Sequence, residues 1–179
     1  MSSPNLNLVE AFPAAMRADA LAAISVLPEV STTSHAFSVC VGPETLTIPY
    51  RTYHDPSLIQ PTGLTGTQAG LLSCLLTRHH DGFVREQHLR KILDSSDAWI
   101  PPFVAQLVGE YVVEIIDEIR EGLERLDAGL YGPFLRQNPA FYQLTKQRVL
   151  SYWNCYYGEQ EKAEYAGFQV LEAFERFAS

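Results

Sequence analysis

Between Leu75 and Lys91 the sequence reads LLTRHHDGFVREQHLRK, which gathers three of the chain's five histidines and four of its thirteen basic residues. Three kinds of chemistry use such residues. An imidazole beside a carboxylate, as in His80-Asp81, can hold a divalent metal for phosphate-ester hydrolysis, a phosphohydrolase-like reaction. That reading makes His80 and Asp81 the candidate catalytic residues and His54, His80 and Asp81 the candidate metal ligands, with Asp117 or Asp127 needed from downstream. Two helices joined by a short Gly-containing turn also have the outline of a helix-turn-helix, whose second helix would offer Arg85, Gln87, His88, Arg90 and Lys91 to a nucleic acid. The third reading is local. Arg78, His79 and His80 fall in the last turn of one helix and Arg90 and Lys91 in the last turn of the next, where positive groups complement the helix dipole. Asp81-Gly82 is turn chemistry between them. This third reading accounts for every residue except His88.

Two other stretches carry residues suited to recognition. From Glu110 the carboxylates Glu110, Glu114, Asp117, Glu121 and Glu124 recur at helical spacing, with Glu118 alongside. Di-iron helix bundles pair such glutamates with a Glu-x-x-His motif, which this sequence lacks. The ridge is therefore either a solvated face or a docking surface for a basic partner. In RVLSYWNCYYGEQ, Tyr152 and Tyr156 share one helical face and Trp153 and Tyr157 the next. Tyrosine and tryptophan supply core volume, and they also dominate binding hot spots. Cys155 has no base beside it in the sequence and reads as a buried thiol.

The elements that must position these residues follow from periodicity. Residues 10 to 27, Ala-rich, read as a helix starting near Pro13 and ending at Pro28. Phe37, Val39 and Val41, then Leu46, Ile48 and Tyr50, alternate with polar residues around Gly42-Pro43, which predicts a β-hairpin over 37 to 51. Thr65 caps a helix to about Thr77, and a second runs from Val84 to Leu93. The clearest helical period spans 102 to 126, where Leu107, Tyr111, Ile115 and Ile119 predict a buried stripe opposite the acidic ridge. Gly129 and Gly132 read as a break. Asn138-Pro139 opens a helix that stops at Gly158, and a last helix covers 161 to 177 with Tyr165, Phe168, Leu171, Phe174 and Phe177 inward. The expectation is a mainly α fold, bundle-like with five to seven helices and one small β-hairpin. Residues 1 to 8 form a flexible start, and residues 9 to 179 a single mainly helical domain.

At 179 residues with 46% hydrophobic composition, the chain can bury a core without disulfides or metal. Three scattered cysteines, no CxxC and no zinc spacing suit a reducing compartment. With no basic-then-apolar leader and no apolar run long enough for a membrane helix, the expected location is cytoplasmic, away from membranes. A net charge of −8 argues against nucleic acid and favours a basic protein partner. No nucleophile elbow, phosphate loop, dinucleotide fingerprint or HExxH is present. The expected function is therefore stoichiometric protein binding without a cofactor, an inhibitor- or immunity-like partner of a basic protein being one instance. Glu110, Glu114, Asp117 and Glu121 would steer that partner, and Tyr152, Trp153 and Tyr156 would anchor it.

Overall fold

A computed structural model describes residues 6–32 and 35–179. The fold is mainly α with a small β-region, and the backbone divides into two compact units, residues 1–92 and 93–179. No helix among the described residues is long and apolar enough to cross a membrane.

In the first unit, two short 3₁₀ turns, Leu6–Ala11 and Ala14–Met16, precede α1 (Arg17–Ser25). The first five residues of the expected flexible start lie outside the described residues. At its end Leu8 is a buried core residue, as are Val9 and Phe12 just beyond it. The helix expected from residue 10 starts later because Pro13 and the 3₁₀ turns occupy its first part. Short β1 (Ser31–Thr32) is followed by the hairpin β2 (Ala36–Val41) and β3 (Glu44–Pro49), paired antiparallel from Ala36↔Pro49 to Val41↔Glu44. Its two-residue turn has Gly42 at φ 59°, the positive value a tight hairpin turn demands at that position. Phe37, Val39, Leu46 and Ile48 face inward, as the alternation requires. β4 (Thr52–Tyr53) pairs with β1 on one side. On its other side the Thr52 amide donates to the Arg78 carbonyl at 2.8 Å, and the His80 amide donates to the Thr52 carbonyl at 3.0 Å.

A 3₁₀ turn at Pro56–Leu58 leads to α2 (Gly66–Leu76), opened by the Thr65 hydroxyl and Gln68 side chain in a reciprocal capping box. α3 (Gly82–Ile92) follows a turn closed by Asp81, whose Oδ1 accepts the Phe83 amide at 2.8 Å. α1 packs on α2, and α2 on α3.

The second unit departs most from the sequence expectation. The long helix over 102 to 126 is two helices, α4 (Pro101–Val108) and α5 (Val113–Glu121), followed by a 3₁₀ turn at Leu123–Arg125. Gly109 and the β-branched Val112 are weak helix formers, and Val112 adopts extended backbone at φ −84°, ψ 102°. Leu107, Ile115 and Ile119 are fully buried as the period predicts, but Tyr111 is rotated outward and is 56% exposed. Gly129 and Gly132 do not break the chain. They lie inside α6 (Ala128–Gln137), where a Cβ on Gly132 would come 2.1 Å from the Phe177 carbonyl oxygen. Glycine there permits the close approach of α6 to α8 (Ala166–Ala178). α7 (Pro139–Tyr156) opens with Pro139 as expected, but the Asn138 amide does not cap it. Its Nδ2 instead donates to the Phe134 carbonyl at 2.9 Å and closes α6. α4 packs on α7, and α5 on α8.

Replacing Ile115, which is fully buried, with alanine is expected to lower unfolding stability by about 2 to 5 kcal/mol. Gly132→Ala is expected to lower it by at least about 1 to 3 kcal/mol, because the added methyl meets backbone that cannot rotate away. Denaturant titration of the two variants against wild type checks both values.

Candidate functional site

Of the residues singled out for partner recognition, Asp117 and Tyr156 share one concave surface in the second unit. A groove of about 640 Å3 is lined by Val113, Asp117 and Arg120 of α5, and by Tyr156, Tyr157 and Tyr165 beyond it. Glu159 and Glu164 stand on its rim. Several contacts hold the turn after α7 in place. The Trp153 indole N–H donates to the Gln160 carbonyl at 3.2 Å, Tyr157 and Tyr165 stack with centroids 5.2 Å apart, and the Lys162 ammonium lies 5.1 Å from the Trp153 ring centre. Gly167 makes this arrangement possible, since a Cβ there would fall 2.6 Å from the Tyr165 ring and 2.8 Å from a Val149 methyl. Burial, and then the neighbouring Tyr157 and Asp117, push the Tyr165 phenol up to about 12, so it remains a hydrogen-bond donor across the physiological range.

The helix break rearranges the acidic ridge. Glu110 leaves it: the residue is 4% exposed, in the bend between α4 and α5. Glu114, Asp117 and Glu121 stay together on the outer face of α5. Arg120, which the sequence reading passed over, bridges Asp117 at 3.1 Å and Glu121 at 3.6 Å and partly neutralises the stripe. The aromatics do not form core. Tyr111, Tyr152 and Tyr156 make an outward ladder with centroid spacings of 6.2 and 6.4 Å. Tyr156 is 68% exposed, while Tyr152 and Trp153 are half-buried. Cys155, expected as a buried thiol, is exposed, because this end of α7 carries little packing on its outer side. The fixed spacing of the tyrosines was legible on a helical wheel. Tyr111 joining them was not, because it requires the break.

The histidine stretch folds inward. Arg78, His79 and Arg85 are fully buried. The Arg85 Nη1 donates to the carbonyls of His79 at 2.9 Å and His80 at 2.8 Å, closing the chain that follows α2. Arg85 is therefore withdrawn from any surface that could meet phosphate. The Asp81 amide donates to the His79 Nδ1 at 3.1 Å, so the His79 Nε2 carries the hydrogen and donates to the His54 carbonyl at 3.0 Å. His54 lies edge-on to His79 at 4.6 Å, and His80 stacks on Tyr53 at 5.1 Å. Asp81 caps α3. Among the described residues no group of three or more His, Cys, Asp or Glu is placed to hold a metal ion. Of the three candidate ligands, His54 is half-buried while His80 and Asp81 are exposed.

Burial, with the neighbouring His79 and His80, lowers His54 from its ordinary 6.5 to about 4, and burial lowers His88 to the same value. Both folded values lie below the unfolded one. Between pH 6.5 and 4 the unfolded chain therefore takes up protons that the folded chain refuses. Stability is expected to be full above about pH 6.5 and to fall as the pH drops to about 4. Thermal melting across this window checks it, and a His54→Gln/His88→Gln variant is expected to lose part of the slope. No family model, no curated protein and no solved structure matches this chain.

Proposed function

We propose that the chain is a stoichiometric protein-binding module whose second unit captures a basic segment of its partner in the groove between α5 and the end of α7. The observation that carries this reading is the convergence of the exposed Tyr156, the half-buried Tyr157 and several carboxylates on one concave surface. Asp117, Glu159 and Glu164 outnumber the single lining cation, Arg120, which is already engaged by Asp117 and Glu121. A guanidinium or ammonium group entering there would meet a carboxylate and an aromatic face together, the two partners that stabilise a desolvating cation. Glu114 and Glu121, outside the groove on the same helix, add long-range attraction, and the net charge of −8 supports it. Tyr152 and Tyr156 supply the rigid apolar area that anchors an interface. Trp153 is engaged by Gln160 and Lys162 and acts as a support for the groove rather than as an anchor.

The reading is tested with fluorescently labelled arginine- and lysine-rich peptides and with partners recovered from the native host. Binding is expected to weaken as salt rises and to be lost in the Glu114→Lys/Glu121→Lys variant. Tyr156→Ala, at an exposed position, is expected to weaken it by about tenfold or more without changing stability. Equal binding of acidic and basic peptides, or full retention by the charge-reversal variant, sinks the proposal.

A further inference from the structure

A second concavity lies wholly within the first unit, and its chemistry is the opposite of the groove's. It is a cleft of about 440 Å3 between α2, α3 and the segment after the Pro56–Leu58 turn. Its walls are aliphatic: Ile59 and Pro61 on one side, Leu72, Leu76 and Val84 on the others. None of the residues lining it is acidic. Three polar side chains, Gln87, His88 and Lys91, reach it from successive turns of α3. Among them is His88, the residue that the helix-end account leaves unexplained.

Their hydrogen bonding is incomplete in a directed way. The His88 Nδ1 lies 3.2 Å from the Ser73 hydroxyl, and Ser73 is itself 4% exposed on α2. That contact fixes the ring and leaves Nε2 without a hydrogen bond among the described residues. Lys91 makes no ion pair among the described residues, although carboxylates outnumber cations in this chain. The neighbouring Arg90, by contrast, is paired with Glu86. An apolar pocket of a few hundred cubic ångströms with a small set of convergent polar groups is the usual form of a small-molecule site.

We propose that this cleft binds a small aliphatic monocarboxylate, its chain among Ile59, Leu72, Leu76 and Val84 and its head group between Lys91 and the Nε2 of His88. The charge argument selects the class. A cationic ligand would face Lys91 with no carboxylate to offset it. A neutral alcohol would leave the ammonium unpaired at the edge of an apolar surface. A carboxylate accepts from the ammonium, the imidazole N–H and the Gln87 amide at once. The proposal uses the neutral tautomer in which the Ser73 hydroxyl donates to Nδ1 and Nε2 carries the hydrogen. Burial holds His88 neutral at physiological pH.

Calorimetry and methyl and imidazole NMR on the full chain test the proposal with octanoate, octanol and octylamine as probes. Octanoate is expected to saturate the protein at millimolar concentration or below, and to move the His88 ring and the Leu72 and Leu76 methyl resonances. Octanol is expected to bind at least about tenfold more weakly, the size of one charge-assisted contact, and octylamine not to bind. Lys91→Gln, at an exposed position, is expected to lose about tenfold for octanoate, while Lys162→Gln in the second unit loses nothing. Absence of octanoate binding, equal affinity for octanol, or full affinity in Lys91→Gln overturns the proposal. None of these outcomes bears on peptide capture by the groove, because the two sites share no residue.

Discussion

The bend from Gly109 to Val112 is the constraint on which the second unit depends. A helix continued through it would place Tyr111 in register with Leu107 and Ile115, inside the core, and Glu110 on the outer ridge. The chain does the reverse. The side of Gly109 lacks a Cβ, and a Cβ there would crowd the Arg148 side chain at 3.2 Å. Close passage of α7 against the end of α4 thus favours glycine at the point where the helix has least intrinsic stability. Once the axis turns, α5 packs its three isoleucines against the core independently of α4. Its polar face lines the groove together with the end of α7, and Tyr111 reaches Tyr152. The groove exists because two short helices can be oriented separately where one long helix could not.

Glycine also sets the other close approaches in that unit. Gly132 lets α6 touch the end of α8, and Gly167 lets Tyr165 lie against Val149. A β-carbon at either position would have to displace backbone or a ring already held on both sides. These are contacts between elements distant in sequence, so their demand for glycine has no local signature. In α6 the glycines even imitate a helix terminator, and the helix persists because its buried residues Tyr131, Phe134 and Leu135 gain more from packing than glycine and the internal Pro133 lose.

In the first unit the organising problem is buried charge. Two arginines without solvent exposure require partners in place of water. Arg85 finds them in the carbonyls of His79 and His80, groups left over where α2 has ended and the next helix has not begun. The same turn is stitched to β4 through Thr52, and the His79 ring hydrogen-bonds at both nitrogens. Backbone bonds, the His79 ring and the Arg85 guanidinium together join a strand, a helix end and a turn. His88 stands apart from that network and faces the aliphatic cleft instead.

The sequence by itself determined the elements whose signals are local. The alternation around Gly42-Pro43 forces a hairpin, Thr65 with Gln68 opens α2, Asp81-Gly82 turns the chain, and Pro139 starts α7. Each rests on residues within a few positions of one another, so composition and spacing suffice. The pairing of Tyr152 with Tyr156 and the outward face of Glu114, Asp117 and Glu121 were legible for the same reason. Tertiary structure decided what depends on distant partners. It exposed Tyr111 and Cys155, buried Glu110 and Arg85, and placed Ser73 against His88 from a neighbouring helix. Hydrophobic period reports which face a helix would bury if it ran straight. Whether it runs straight, and which polar groups become each other's solvent, is settled only when packing brings separate elements within reach.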